Sequence, residues 1–139
     1  MTAKKIDVFI DGASVGNPGP AGVGVIVCED GQVLKNLSKF IGETTNNVAE
    51  YMALIFALQE ALIMRIDYLV VNTDSQLLAN QISGDYKVKN SNLKLLYEQA
   101  RHLISGFKDF KIRYIPRTEN KGADKLATLA IKNSKKRVL

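Results

Sequence analysis

Of the fourteen Asp and Glu residues in the chain, four interrupt segments that are otherwise apolar. Asp11 follows Val8-Phe9-Ile10 and reads as the end of a strand. Asp74 follows Leu69-Val70-Val71-Asn72-Thr73 and stands between a strand and a helix. Carboxyl ends of central strands are where open α/β sheets place their ligands. Glu50 falls in the expected first turn of a long helical run, in line with Ala53, Leu54 and Ala57, on the core-facing stripe. Asp124 lies between Ala123 and Leu126-Ala127 near the start of the last helical segment. Taken singly, each has a structural explanation: Asp74 as a helix cap, Glu50 and Asp124 as partners of a helix dipole. Taken together, four carboxylates on apolar elements are costly to bury unpaired, and no Lys or Arg occupies a matching core position.

A hard divalent cation would offset that charge. An oxygen-only donor set suits Mg²⁺ or Mn²⁺, whereas one His and one Cys leave no zinc-ligand set. Asp7 shares a strand face with Asp11, but four residues of strand separate them by about 13 Å, so Asp7 is excluded from the same site. Ser14, Ser75 and Cys28 have no His in a plausible motif beside them. Covalent catalysis by a side chain is therefore not expected.

The elements that must position these acids follow from periodicity. Ile6, Val8 and Ile10 alternate with Asp7, Phe9 and Asp11, a strand pattern. Gly16-Asn17-Pro18-Gly19-Pro20 is a dense turn signal. Residues 22–28 and 32–41 read as two further strands of a meander joined by a turn at Glu29-Asp30-Gly31. Thr44-Thr45-Asn46-Asn47 offers N-caps for a helix over 48–64. A buried strand over 68–73, helices over 76–82 and 93–104, a strand over 111–115 and a helix over 120–133 complete the chain. The order β-β-β-α-β-α-α-β-α predicts an α/β (α+β mixed) fold. In it, a five-stranded mixed sheet, its first three strands antiparallel, is flanked by helices.

The 139 residues suit one domain spanning 1–139, with residues 133–139 expected as a basic, frayed tail. Nineteen Lys and Arg against fourteen acids give +5, a weak lean toward a polyanionic partner. The single Cys28 cannot form an internal disulfide, and no signal peptide or membrane span is read. A cytoplasmic location is the expectation.

Four blocks in order resemble the type 1 ribonuclease H family: Asp11-Gly12-Ala13 with the Gly16–Pro20 loop, Thr44 to Glu50, Thr73-Asp74-Ser75-Gln76, and Asn120 to Ala127. The resemblance covers residues 5 to 132. It implies a ribonuclease H-like fold and makes Asp11, Glu50, Asp74 and Asp124 the catalytic, metal-binding tetrad. It implies an endoribonuclease that hydrolyses the RNA strand of RNA/DNA hybrids, giving 5′-phosphate and 3′-hydroxyl ends. Two Mg²⁺ ions, with Mn²⁺ a possible substitute, would clamp an in-line displacement. The same resemblance assigns substrate contacts to Gly12, Asn17, Asn46 and Gln76 along the wide minor groove of the hybrid. It assigns Thr45 and Asn90 to a pocket for a DNA-strand phosphate. For Asn17, Asn46 and Gln76, turn or cap chemistry is the competing explanation.

The chain departs from many members of that family. The loop Pro116-Arg117-Thr118-Glu119 has no His, and the sole His102 falls in the helix over 93–104. Like compact members, it carries Arg117 there, a candidate for the scissile phosphate, with a plain surface role the alternative. No Trp-bearing basic helix is present, only Tyr86-Lys87-Val88-Lys89, which predicts weaker, distributive binding. Lys87, Lys89, Lys94, Arg117 and the Lys135-Lys136-Arg137 tail would form the phosphate-gripping surface. A single domain with no evident obligate protein partner is expected to be a monomer. Two other readings are a binding module that keeps the fold without cleaving, and an integrase-like nuclease for DNA or double-stranded RNA. The complete tetrad argues against the first, and the Asn17, Asn46 and Gln76 set with the Gly16–Pro20 loop against the second.

Overall fold

The computed structural model describes residues 5–135. Its elements are β1 (Lys5–Ser14), β2 (Gly19–Glu29), β3 (Gln32–Thr44), α1 (Asn46–Ile63), β4 (Tyr68–Thr73), α2 (Gln76–Ser83), α3 (Ser91–Ile104), β5 (Asp109–Tyr114) and α4 (Lys121–Lys135). The order along the chain is the expected one. The five strands form one sheet in the order β3-β2-β1-β4-β5. The pairs β1–β2 and β2–β3 are antiparallel, and β1–β4 and β4–β5 are parallel.

One face of the sheet is closed by α1. Ile6, Val8 and Ile10 of β1 and Val23, Val25 and Val27 of β2 are essentially inaccessible. Against them α1 sets Ala49, Ala53, Ala57 and Ala61, each fully buried. Their i, i+4 spacing puts all four on one stripe, so the helix backbone can lie close to the strands. Leu54 and Leu58 beside that stripe add the apolar bulk, about 1.5–3 kcal/mol for each fully buried side chain.

The other face receives α4, whose approach depends on missing side chains in β2. A Cβ on Gly24 would stand 2.1 Å from the carbonyl oxygen of Ala123. One on Gly22 would stand 2.5 Å from that of Ala127. The start of α4, which carries Asp124, is thereby held against the sheet beside β1.

Three expectations are corrected. Strand β1 does not end at Asp11 but continues to Ser14, because β2 goes on pairing with it through Ser14↔Ala21. What ends is the parallel ladder to β4, at Ile10↔Thr73, so Asp11 still stands at the mouth of the β1–β4 pair. Glu50 is the fifth residue of α1, past the first turn, because Thr45 caps the helix and Asn46 opens it. Residues 133–135 are not a frayed tail but the last residues of α4. There Ile131, buried beside them, still packs inward, and the Ser134 hydroxyl donates to the carbonyl of Ile131 at 2.6 Å. The rest of the expected tail, residues 136–139, lies outside the described residues.

Replacing Gly24 by Ala should force α4 away from β2. The expected cost is about 1–3 kcal/mol, the usual penalty for overpacking, seen as a lower denaturation midpoint in urea. An unchanged midpoint would show that α4 does not depend on this close contact.

Candidate active site

Each acid of the sequence set is positioned by a different element. Asp11 projects from β1 just beyond the last β1–β4 pair, and it is buried. Glu50 is buried on α1, where one of its carboxylate oxygens accepts the Gly12 backbone N–H at 2.7 Å. That bond requires β1 to touch α1. A Cβ on Gly12 would lie 2.1 Å from the Ala49 carbonyl oxygen and 2.5 Å from the Glu50 nitrogen. Gly12 is small because the helix occupies its side-chain space.

Asp74 sits in the tight junction from β4 to α2. The Thr73 hydroxyl accepts the Ser75 N–H at 3.0 Å, and the Ser75 hydroxyl caps α2 by accepting the Leu78 N–H at 3.2 Å. Ser75 is thus the cap, and the Asp74 carboxylate is left free to face the other acids. The ligand atoms of Asp11, Glu50 and Asp74 lie within 4.8 Å of one another. Asp124, in the first turn of α4, adds to the charge that Asp11 faces, but it lies outside that tightest group. Its side chain is 36% exposed and stands 3.7 Å from an Arg117 nitrogen. Asp7, by contrast, accepts from the Asn72 amide at 3.3 Å and takes no part.

Sequence reasoning missed Asn120 as a site residue. Its side-chain NH₂ donates to the Ile10 carbonyl at 2.8 Å and to Asp74 Oδ2 at 3.2 Å. It is only 1% exposed, and its side-chain oxygen is buried without a partner. The sequence did hold a signal, because Asn120 and Asp124 are four residues apart at the entry to α4 and so share one side of it. Its contact with Asp74, 46 residues distant, was not visible there.

The acids line a cavity of about 370 Å³ together with Gly12, Ala13, Asn46, Gln76 and Arg117. Asn17 is tied to its rim, accepting the Asn46 N–H at 2.9 Å through its side-chain oxygen; its NH₂ is left as a donor. Thr45 and Asn90 are both helix caps. The Thr45 hydroxyl accepts the Val48 N–H, and the Asn90 side-chain oxygen accepts the N–H groups of Asn92 and Leu93. Neither lines the carboxylate cavity. His102 is exposed on α3.

Burial, with the neighbouring Glu50, Asp74 and Asp124 charges, pushes the Asp11 carboxyl up to about 9. Burial pushes Glu50 up to about 8, against the lowering effect of the Gly12 N–H. Such shifts mark carboxylates buried close together, whose charge a bound cation would compensate. The donors are all carboxylate oxygens, which fits a hard divalent ion such as Mg²⁺ or Mn²⁺. Asp11, Glu50 and Asp74 would hold it, with Asp124 adjacent.

A mixed sheet in this strand order, with acids gathered at the mouth of its two central parallel strands, is the ribonuclease H-like fold. A family model described as Reverse transcriptase-like matches residues 9–130. Ribonuclease HI of Halobacterium salinarum is 41% identical over 128 residues, covering 91% of this chain and 64% of that protein. A bifunctional protein of Mycobacterium tuberculosis is 42% identical over 129 residues, 91% of this chain but 35% of its own length. This chain therefore spans about two thirds or one third of the length of those relatives. Ribonuclease H of Rhizobium etli is 36% identical over 148 residues, covering 96% of this chain and 95% of that one. The solved structure of LC11-RNase H1 in complex with RNA/DNA hybrid superposes with a TM-score of 0.89 at 41% identity, covering 94% of this chain and 99% of that one. The chain belongs to the ribonuclease H family, in its type 1 branch.

Two outcomes follow from the site's electrostatics. Asp11 and Glu50 bind protons more tightly folded than at their ordinary values of 3.8 and 4.5. Their contribution to stability is thus complete below those values and is lost as pH rises through about 8 and about 9. The thermal midpoint of metal-free protein should fall across that window, and Mg²⁺ should restore it most at the alkaline end, since binding displaces the protons. A flat profile, with or without the ion, would contradict the buried cluster. Asn120→Ala should weaken metal affinity about 10–100-fold, as loss of a ligand-orienting partner does, measured by calorimetric titration with Mn²⁺.

Proposed function

We propose that this chain is a metal-dependent endoribonuclease that hydrolyses the RNA strand of RNA/DNA hybrids, leaving 5′-phosphate and 3′-hydroxyl ends. The observation that carries the reading is the convergence of Asp11, Glu50 and Asp74 within 4.8 Å in a cavity rimmed by Asn46, Gln76 and Arg117. It is supported by the relatives named ribonuclease H and by the hybrid bound to LC11-RNase H1.

In this reading Asp11, Glu50, Asp74 and Asp124 hold two Mg²⁺ ions when substrate is bound, with Mn²⁺ able to substitute. Such a pair activates water and stabilises the leaving oxygen of an in-line phosphoryl displacement. The chain's own groups bind and orient. Asn46 and Gln76 on the cavity wall, Gly12 beside them, and Asn17 at the rim offer amide and backbone groups suited to 2′-hydroxyls and base edges in a wide minor groove. The hydrogen bond from the Asn46 N–H to Asn17 fixes which end of the Asn17 amide faces outward. Arg117, 81% exposed, carries a guanidinium to the cavity mouth, a geometry suited to a bidentate phosphate contact. Thr45 and Asn90 would meet a phosphate of the DNA strand while serving as caps. The exposed Lys87, Lys89 and Lys94 supply the sequence-independent attraction to the backbone. The protein acts as a monomer in the cytoplasm in this reading, without an obligate protein partner.

The test is cleavage of end-labelled RNA/DNA hybrid, double-stranded RNA and double-stranded DNA in Mg²⁺, beside the Asp74→Asn variant. Hybrid should be cut in the RNA strand alone. The variant should lose activity by more than the ~10–100-fold typical of residues that merely orient ligands. Equal activity of the variant would remove the carboxylate mechanism. Cleavage confined to double-stranded RNA or DNA would remove the substrate assignment.

A further inference from the structure

The loop between α2 and α3, residues 84–90, carries Tyr86, Lys87 and Lys89 on the surface. With Lys94 and Tyr97 of α3, Tyr86 and Lys87 line an open depression of about 320 Å³. A basic loop of this composition would ordinarily move freely, because exposed lysines contribute little to holding a backbone in place. Here it is pinned from beneath. Gln81, on α2 and only 5% exposed, accepts the Tyr51 hydroxyl at 2.6 Å through Oε1. Its NH₂ donates to the Lys87 carbonyl at 3.4 Å. The opposite amide orientation would set two acceptors against each other at Lys87, so that contact specifies the orientation, and the Tyr51 hydroxyl, able to donate or accept, donates to the oxygen it leaves.

The remaining contacts reinforce this anchor. The Tyr86 N–H donates to the Asn80 carbonyl at 3.0 Å. Gly84, at φ 91°, closes α2 in the left-handed conformation. Arg101 of α3 donates to the Ile82 carbonyl at 3.1 Å, and Val88 packs against the core. Tyr51 is the residue after Glu50, so a chain of two hydrogen bonds, buried at Tyr51 and part-buried at Lys87, runs from the acidic site's helix to the basic loop. The eight residues of α2 span about 12 Å, which is roughly three to four nucleotide steps along a strand.

We propose that Gln81 is a positioning residue: by joining Tyr51 of α1 to the Lys87 carbonyl, it pre-sets the 84–90 loop so that Lys87 and Lys89 meet the phosphate backbone at a fixed distance from the acidic cavity. The proposal rests on the nucleic-acid reading above. Its energetic logic is that a loop already ordered does not lose that conformational freedom on binding. Loosening it weakens association and leaves the reacting centre unchanged.

The experiment compares wild type, Gln81→Leu, Lys87→Ala and the double variant, with Tyr51→Phe as a second way to cut the same link. Hybrid cleavage gives KM and kcat, and amide hydrogen exchange of the free proteins reads the loop directly. Expected for Gln81→Leu and Tyr51→Phe is a KM raised about three- to tenfold, the 1.4 kcal/mol-per-decade scale of one lost anchor, with kcat within about twofold. Exchange should speed up at residues 84–90 and stay unchanged in the middle of α1. Lys87→Ala should cost less in the Gln81→Leu background than in wild type, as coupled residues do. The proposal is overturned if the loop amides of both variants exchange at the wild-type rate, if kcat falls while KM holds, or if the two substitutions add independently. Should Gln81→Leu fail to fold, Tyr51→Phe carries the same outcomes. A wild-type protein inactive on hybrid would defeat the substrate reading, whereas the exchange measurement still decides the role of Gln81.

Discussion

Three carboxylates with their oxygens within 4.8 Å of one another, two of them on buried residues, repel each other in a place where water screens poorly. The surroundings of the cavity are organised by this constraint. The Gly12 N–H gives Glu50 a partial positive charge to face. Asn120 does the same for Asp74 and simultaneously grips the Ile10 carbonyl at the end of the β1–β4 ladder. Arg117 approaches Asp124 from solvent. These neutral or peripheral partners leave net negative charge at the centre, and protons are held on Asp11 and Glu50 well above the usual carboxylate range. The cluster is stable because the apolar core beneath it supplies the folding free energy, while its own charge is left for a cation to satisfy.

That arrangement relies on backbones approaching one another more closely than side chains permit. At Gly12 the strand touches α1, and at Gly24 and Gly22 the strand touches α4. The Ala49, Ala53, Ala57 and Ala61 stripe performs the same function from the helix side. Small residues set the distances between Asp11, Glu50 and Asp124, and the capped turn at Thr73–Ser75 aims Asp74 at them. The acids are therefore located by packing, and their charge follows the geometry of the sheet. The basic loop beyond α2 is tied to the same helix that carries Glu50, through Tyr51 and Gln81, so the two ends of α2 share one reference frame.

Much of this was legible beforehand. The element order, the mixed five-stranded sheet and the four acids all follow from local patterns, and the four motif blocks named the family. Spacing alone sets Asp7 apart from the other acids, and the structure pairs it with Asn72. The misreadings have a common cause. The alternation over residues 6–11 reads as a strand ending at Asp11, yet β2 continues to pair with it to Ser14. The apolar run that marks α1 begins at Val48, whereas Thr45, three residues earlier, caps the helix. The polar stretch at the end of the last helix reads as its stop, yet it continues as helix to Lys135. Pairing and capping partners decide where an element ends, and these are invisible to periodicity.

The sequence by itself determined the chemistry available: oxygen donors without a zinc set, no side-chain nucleophile with a base beside it, and a basic excess that leans toward a polyanion. It did so because residue type and spacing set donor identity and the face of each element. Only the tertiary structure decided that three of the acids form the tightest group with Asp124 at its margin, that Asn120 orients Asp74, and that Gln81 holds the basic loop. The links from Gln81 to Tyr51 and from Asn120 to Asp74 and Ile10 join residues 30 to 110 positions apart through bonds across the packed sheet and helices. Contacts of that kind exist only once Gly12, Gly22 and Gly24 have let the helices close onto the strands.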